Sequence, residues 1–97
     1  MSDDPVISRL REQISHADRT IVDAMNTRLR LVAEIKRYKD SRGLDFVDPE
    51  RERWMLQHLS SANRGPLSQE GLEELFAEML DLTKREVARG EDEPTNE

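Results

Sequence analysis

The sequence predicts an all-α protein with three helices per chain, one long and two shorter, that pairs with a second copy as an intertwined helical dimer. Three observations lead there. Apolar residues recur at steps of three and four from Ile7 to Tyr38, the period of one helical face. Two further apolar stripes each follow a helix-start signal, Asp48-Pro49 and Ser68. The 97 residues are only 35% hydrophobic, with one tryptophan, one tyrosine and two phenylalanines. Such a supply builds a thin core alone, so burial against a partner is expected.

The first helix follows Ile7, Leu10, Ile14, Ala17, Ile21, Ala24 or Met25, Leu31 or Val32, Ile35 and Tyr38. Between Pro5 and Ser41 no proline or glycine interrupts it. A helix of about 35 residues is roughly 50 Å long at 1.5 Å per residue. A compact domain of about 100 residues has a radius of gyration of only about 13 Å. Two short helices cannot cover a stripe of that length, which is the physical case for a second chain. Arg42-Gly43-Leu44 ends the pattern. Asp48 as N-cap and Pro49 in the first turn open a second helix to about Ser60, with Trp54, Met55 and Leu59 on its apolar side. Asn63-Arg64-Gly65-Pro66 reads as a turn. Ser68 caps a third helix whose stripe is Leu72, Leu75, Phe76, Met79, Leu80 and Val87. Residues 1–90 form one domain, and 91–97 read as a disordered acidic tail.

Several function classes are disfavoured. The net charge of −6 does not suit general nucleic-acid binding, which needs a basic face. No apolar run approaches the ~20 residues of a membrane span, and MSDDPVISRL lacks the pattern of a signal peptide. A cytoplasmic protein is expected. The sequence has no cysteine, and His16 and His58 stand apart from any partner at ligand spacing. No metal and no cofactor are expected, and both histidines read as surface residues.

The informative feature is where certain cations fall. Arg28 lands on the apolar seam of the first helix. At 100° per residue, Ile35 lies about 20° to one side of Arg28 and Lys39 about 20° to the other. Arg28 and Lys39 therefore share a face. Arg11 lies about 100° away from Arg28, badly placed for the same pocket within one chain but suited to a partner's across a dimer seam. Each residue also has a plainer reading. Arginine and lysine on a helix flank usually snorkel. Asp48 serves as an N-cap and Glu52 as a first-turn acid facing the helix dipole. Thr83 on an apolar stripe usually bonds back to its own helix.

The ordered set goes further. Leu10-Arg11-Glu12-Gln13-Ile14 with Asp18, then Thr27-Arg28-Leu29, then Lys39, then Val47-Asp48-Pro49-Glu50-Arg51-Glu52, and finally Leu75-Phe76 with Thr83 resemble the all-helical, AroQ-type chorismate mutases. The likeness covers roughly residues 6 to 89. It implies an intertwined dimer that converts chorismate, a dicarboxylate, to prephenate in aromatic amino-acid biosynthesis. It further implies that the arginine at position 11 reaches the other subunit's site, while Arg28 and Arg51 serve their own, all three holding the substrate's carboxylates. Lys39 is implied to donate to the ether oxygen and a carboxylate, Asp48 and Glu52 to contact the ring hydroxyl region, and Thr83 to support the ring carboxylate. Lys39 and Arg28 are the expected catalytic pair. One position departs from the pattern. Where many members carry glutamine or glutamate as a second donor to the ether oxygen, this chain has Val87, leaving Lys84 or Glu86 to substitute or Lys39 to act alone.

The same scaffold admits an isochorismate pyruvate-lyase, which Asp48 and Glu52 disfavour, and a 4-amino-4-deoxychorismate mutase, which Val87 leaves open. A non-catalytic helical dimerisation or regulatory module is the other class, and a partner enzyme of the shikimate pathway is compatible with either.

Overall fold

The computed structural model describes residues 4–92. Its regular elements among those residues are α1 (Pro5–Ser41), α2 (Pro49–Ala62) and α3 (Gln69–Asp92). The chain divides after Leu31 into two compact units.

The first unit is the N-terminal part of α1. Asp4 starts the helix, its Oδ1 accepting from the Val6 N–H at 2.8 Å, and Pro5 follows in the first helical position, where a missing N–H costs nothing. No residue of α1 is buried. Ile14 and Ile21 are each about 60% exposed, and Val6, Leu10 and Val22 are exposed too. Much of the periodic stripe in this unit is thus exposed.

The second unit holds the end of α1, the α1–α2 loop, α2 and α3. A paired-bond terminus closes α1: the Leu44 N–H reaches the Lys39 carbonyl at 2.8 Å and the Gly43 N–H reaches the Asp40 carbonyl at 3.3 Å. Gly43 takes φ +69°, the left-handed conformation this cap requires and glycine adopts at least cost. Asp48 caps α2, its Oδ1 accepting from the Arg51 N–H at 3.2 Å, with Pro49 in the first turn. α2 runs to Ala62, slightly past Ser60, because Asn63 supplies the cap. Its N–H bonds the Leu59 carbonyl at 2.9 Å, and its side-chain amide donates to the Leu67 carbonyl at 2.9 Å. A left-handed Gly65 and a cis Gly65–Pro66 bond complete the turn.

Ser68 caps α3, accepting from the Gly71 N–H at 3.0 Å. Gly71 suits a tight place: a Cβ there would lie 2.9 Å from Leu67 Cδ1. α2 and α3 pack together, and Gln69 ties them by donating to Ser60 Oγ at 2.9 Å. The buried apolar core is Leu72, Phe76 and Val87 on α3, and Met55, Leu56 and Leu59 on α2 are half-buried. Of the other expected stripe residues, Met79 and Leu80 are half-buried, and Leu75 and Trp54 are exposed. α3 passes through Gly90 to Asp92, into the stretch read as a tail. Residues 93–97 lie outside the described residues. Among the described residues no helix is long and apolar enough to cross a membrane.

Candidate active site

Six of the expected site residues belong to the second unit: Lys39, Asp48, Arg51, Glu52, Thr83 and Val87. Arg11 and Arg28 belong to the first. Within the first unit Arg28 is half-buried, and burial holds its guanidinium below the ordinary arginine value, the direction desolvation gives any cation. An arginine remains charged even so. A half-buried, charged guanidinium is a strong anion receptor because water competes poorly for its N–H groups. Arg11 is exposed and lines a shallow, open pocket with Glu12, Ser15 and Arg19.

In the second unit, Lys39 stands in the last turn of α1, half-buried. Its Nζ donates to the Phe46 carbonyl of the following loop at 3.3 Å. One turn back, the Lys36 ammonium pairs with Asp40 at 2.8 Å and lies 5.6 Å from the centre of the Phe46 ring. Asp48, Arg51 and Glu52 form the start of α2, where Asp48 does act as a cap. Glu52 is more than a solvated acid: its carboxylate lies 3.7 Å from Lys84 Nζ of α3 and its side chain is 29% exposed.

The Arg51 guanidinium sits 4.3 Å from the Trp54 ring centre, within cation–π range. Trp54 in turn stacks on His58 at 5.0 Å with planes 6° apart. Spacings of three and four residues on one helix put these side chains in line. The tryptophan assigned by periodicity to the core therefore serves as a platform beside a cation. His58 and His16 are both exposed, as expected.

Thr83 and Val87, one turn apart on α3, are both buried. The Thr83 hydroxyl donates to the Met79 carbonyl at 2.7 Å, the back-bonded state anticipated for it, which fixes its oxygen. Val87 presents only methyl groups. Of its polar neighbours, Glu86 is engaged with Arg89, whereas Lys84 points at Glu52. Among the described residues no group of three or more histidines and carboxylates is placed to hold a metal ion.

Sequence reasoning missed Phe46 and the pairing of Arg51 with Trp54. A phenylalanine in the break between two helical stripes was the available signal for the former.

Comparison with known proteins places these residues in context. The family described as chorismate mutase type II matches residues 10–87. The bifunctional chorismate mutase/prephenate dehydratase of Stutzerimonas stutzeri is 34% identical over 85 residues, covering 82% of this chain and 23% of the relative. The chain thus spans about a quarter of that relative's length. Two solved structures of a chorismate mutase from Thermus thermophilus superimpose well. Form I gives a TM-score of 0.77 at 36% identity, over 79% of this chain and 96% of that one. Form II gives 0.80 at 35%, over 86% and 94%.

Proposed function

Because the chain belongs to the chorismate mutase type II family, we propose that it rearranges chorismate to prephenate, using the residues from Arg11 to Val87 as its site. What carries the reading is that the matched span, residues 10–87, contains every one of these positions.

The chemistry is a concerted shift within one molecule and requires no proton transfer. The ether C–O bond breaks ahead of full C–C bonding, so negative charge grows on the ether oxygen. A cation fixed beside that oxygen binds the transition state better than the ground state. Lys39 is the group for this step. Arg11, Arg28 and Arg51 clamp the two carboxylates, which holds the compact conformer with the bond-forming carbons close. Guanidinium suits this task because it meets carboxylate with two parallel bonds. Asp48 and Glu52 receive the ring hydroxyl region, and Thr83 supports the ring carboxylate. An acidic protein binds a dianion by concentrating a few cations where salt screens them least.

The site is proposed to be completed by a second copy of the chain. The open apolar face of α1, from Val6 through Ile14 and Ile21, needs cover, and the angular offset of Arg11 from Arg28 suits a site built from two chains. The named relative joins mutase to prephenate dehydratase, so an enzyme acting on prephenate is the further partner we propose. Sedimentation at micromolar concentration is expected to give twice the 11.3 kDa chain mass. A folded monomer would rule out the shared site. An ultraviolet assay of chorismate loss, with the product identified by chromatography, tests the reaction: prephenate supports it, and release of pyruvate points to a lyase instead.

Val87 gives a further expected result. Val87→Gln supplies the missing donor, and kcat for chorismate should rise about 5- to 30-fold, the scale of ~1–2 kcal/mol for one hydrogen bond to a developing charge. A fall in kcat would show that Lys84, held beside Glu52, already fills the role and that the glutamine crowds it. Unchanged kinetics would remove Val87 from the site.

A further inference from the structure

We infer that Phe46 is a positioning residue for Lys39: the loop it anchors holds the lysine ammonium by one of its three N–H groups and leaves the other two aimed at substrate. The inference rests on the proposed mutase reading for its catalytic consequence, but its structural basis stands on its own.

The α1–α2 loop is pinned at both ends. At one end are the left-handed Gly43 and the Leu44 N–H bond to the Lys39 carbonyl. At the other, Asp48 caps α2. Between them Leu44, Asp45 and Val47 are exposed and only Phe46 is half-buried. Phe46 makes two contacts with the last turns of α1. Its ring lies 5.6 Å from the Lys36 ammonium, and its carbonyl accepts from Lys39 Nζ at 3.3 Å. Lys36 and Lys39 are three residues apart, so they project from the same side of the helix. One side chain therefore docks the loop, and its own backbone oxygen holds the neighbouring lysine.

The two lysines are treated differently. Lys36 is neutralised by Asp40 at 2.8 Å. Among the described residues no carboxylate pairs with Lys39, so its full charge remains available. A lysine ammonium has three donors and no acceptor. With one N–H committed to Phe46, two remain, matching the two acceptors assigned to Lys39, an ether oxygen and a carboxylate. A bond to a neutral carbonyl restrains the flexible stem without cancelling the charge. That is preorganisation, and its effect falls on the transition state, where charge appears on the ether oxygen. Three arginines carry most of the carboxylate binding, so loosening Phe46 should lower kcat far more than it raises KM.

The test uses the full chain, with Phe46→Ala and Phe46→Leu. Leucine retains an apolar anchor for the loop, so the carbonyl stays in place. Phe46→Ala should lower kcat for chorismate about 10- to 100-fold, the cost of misplacing a positioned group, with KM within about threefold of wild type. Phe46→Leu should recover most of the loss. The ¹⁵N-bound ammonium protons of Lys39, assigned by their disappearance in Lys39→Gln, should be visible by NMR in the wild type, broadened in Phe46→Ala and restored in Phe46→Leu. A merely structural role would move the melting temperature without this pattern. If the alanine variant melts below the assay temperature, Phe46→Val carries the same comparison. An unaltered Lys39 signal in the alanine variant, or a raised KM at full kcat, would overturn the inference. A wild-type chain that holds its Lys39 signal but turns over no chorismate would overturn the mutase reading, and the catalytic half of the inference with it, while leaving the Phe46–Lys39 restraint supported.

Discussion

Lys39→Ala and Arg28→Ala are each expected to lower kcat/KM for chorismate by at least ~100-fold, the scale for removing one preorganised charge-stabilising donor. The two losses should differ in kind. Lys39 acts where charge develops, so its removal should fall mainly on kcat. Arg28 grips a carboxylate in ground and transition states alike, so its removal should also raise KM. Both variants should fold, because neither residue contributes to the buried core of Leu72, Phe76 and Val87. Circular dichroism checks that, and steady-state kinetics checks the rest. If Lys39→Ala kept more than roughly a tenth of the wild-type activity, electrostatic stabilisation at the ether oxygen would not be what drives the reaction.

The second large effect tests the proposal that each site is made from two chains. Arg11→Ala and Arg28→Ala homodimers should each be nearly inactive, because every site in them lacks one carboxylate clamp. When the two proteins are unfolded together and refolded, each mixed dimer should contain one site with both arginines and one with neither. Such a dimer should regain about half the activity of a wild-type dimer, the outcome two-fold symmetry dictates. Refolding through denaturant ensures exchange, and native mass spectrometry of differently tagged chains measures the mixed fraction. Absence of recovery with mixed dimers present would mean that Arg11 serves its own chain.

The helices were legible because their signals are local. An unbroken run from Pro5 to Ser41 and the caps Asp48 and Ser68 are chemical features of single positions, and the structure uses each of them. α2 extends to Ala62 because Asn63 satisfies both its own N–H and a carbonyl across the turn, a bond that depends on the path of the following residues. Residue 91 reads as the start of a tail, yet α3 runs on through Gly90 to Asp92. A glycine costs a helix only about 1 kcal/mol. Trp54 shows a different limit. Its spacing relative to Leu59 is compatible with a core face, but a cation on one side and an imidazole on the other give its ring partners at the surface. The candidate site divides the same way. The cations and their order are visible along the chain, because an arginine on an apolar seam is anomalous on its own terms. The Phe46–Lys39 bond and the Glu52–Lys84 pair are not visible, since each joins residues through a loop or between helices whose paths no period records.

The ring beneath Arg51 has an optical consequence. Trp54 is the chain's one tryptophan, so all of its indole emission originates beside a guanidinium that the mechanism assigns to a substrate carboxylate. When that cation turns toward an anion, the field and contacts felt by the indole change, and the emission changes with them. Occupancy is thereby made readable without turnover. In the Lys39→Ala protein, where little product should form, a fluorescence titration would still report how tightly the clamp closes, separating an enzyme that has lost its chemistry from one that has lost its grip.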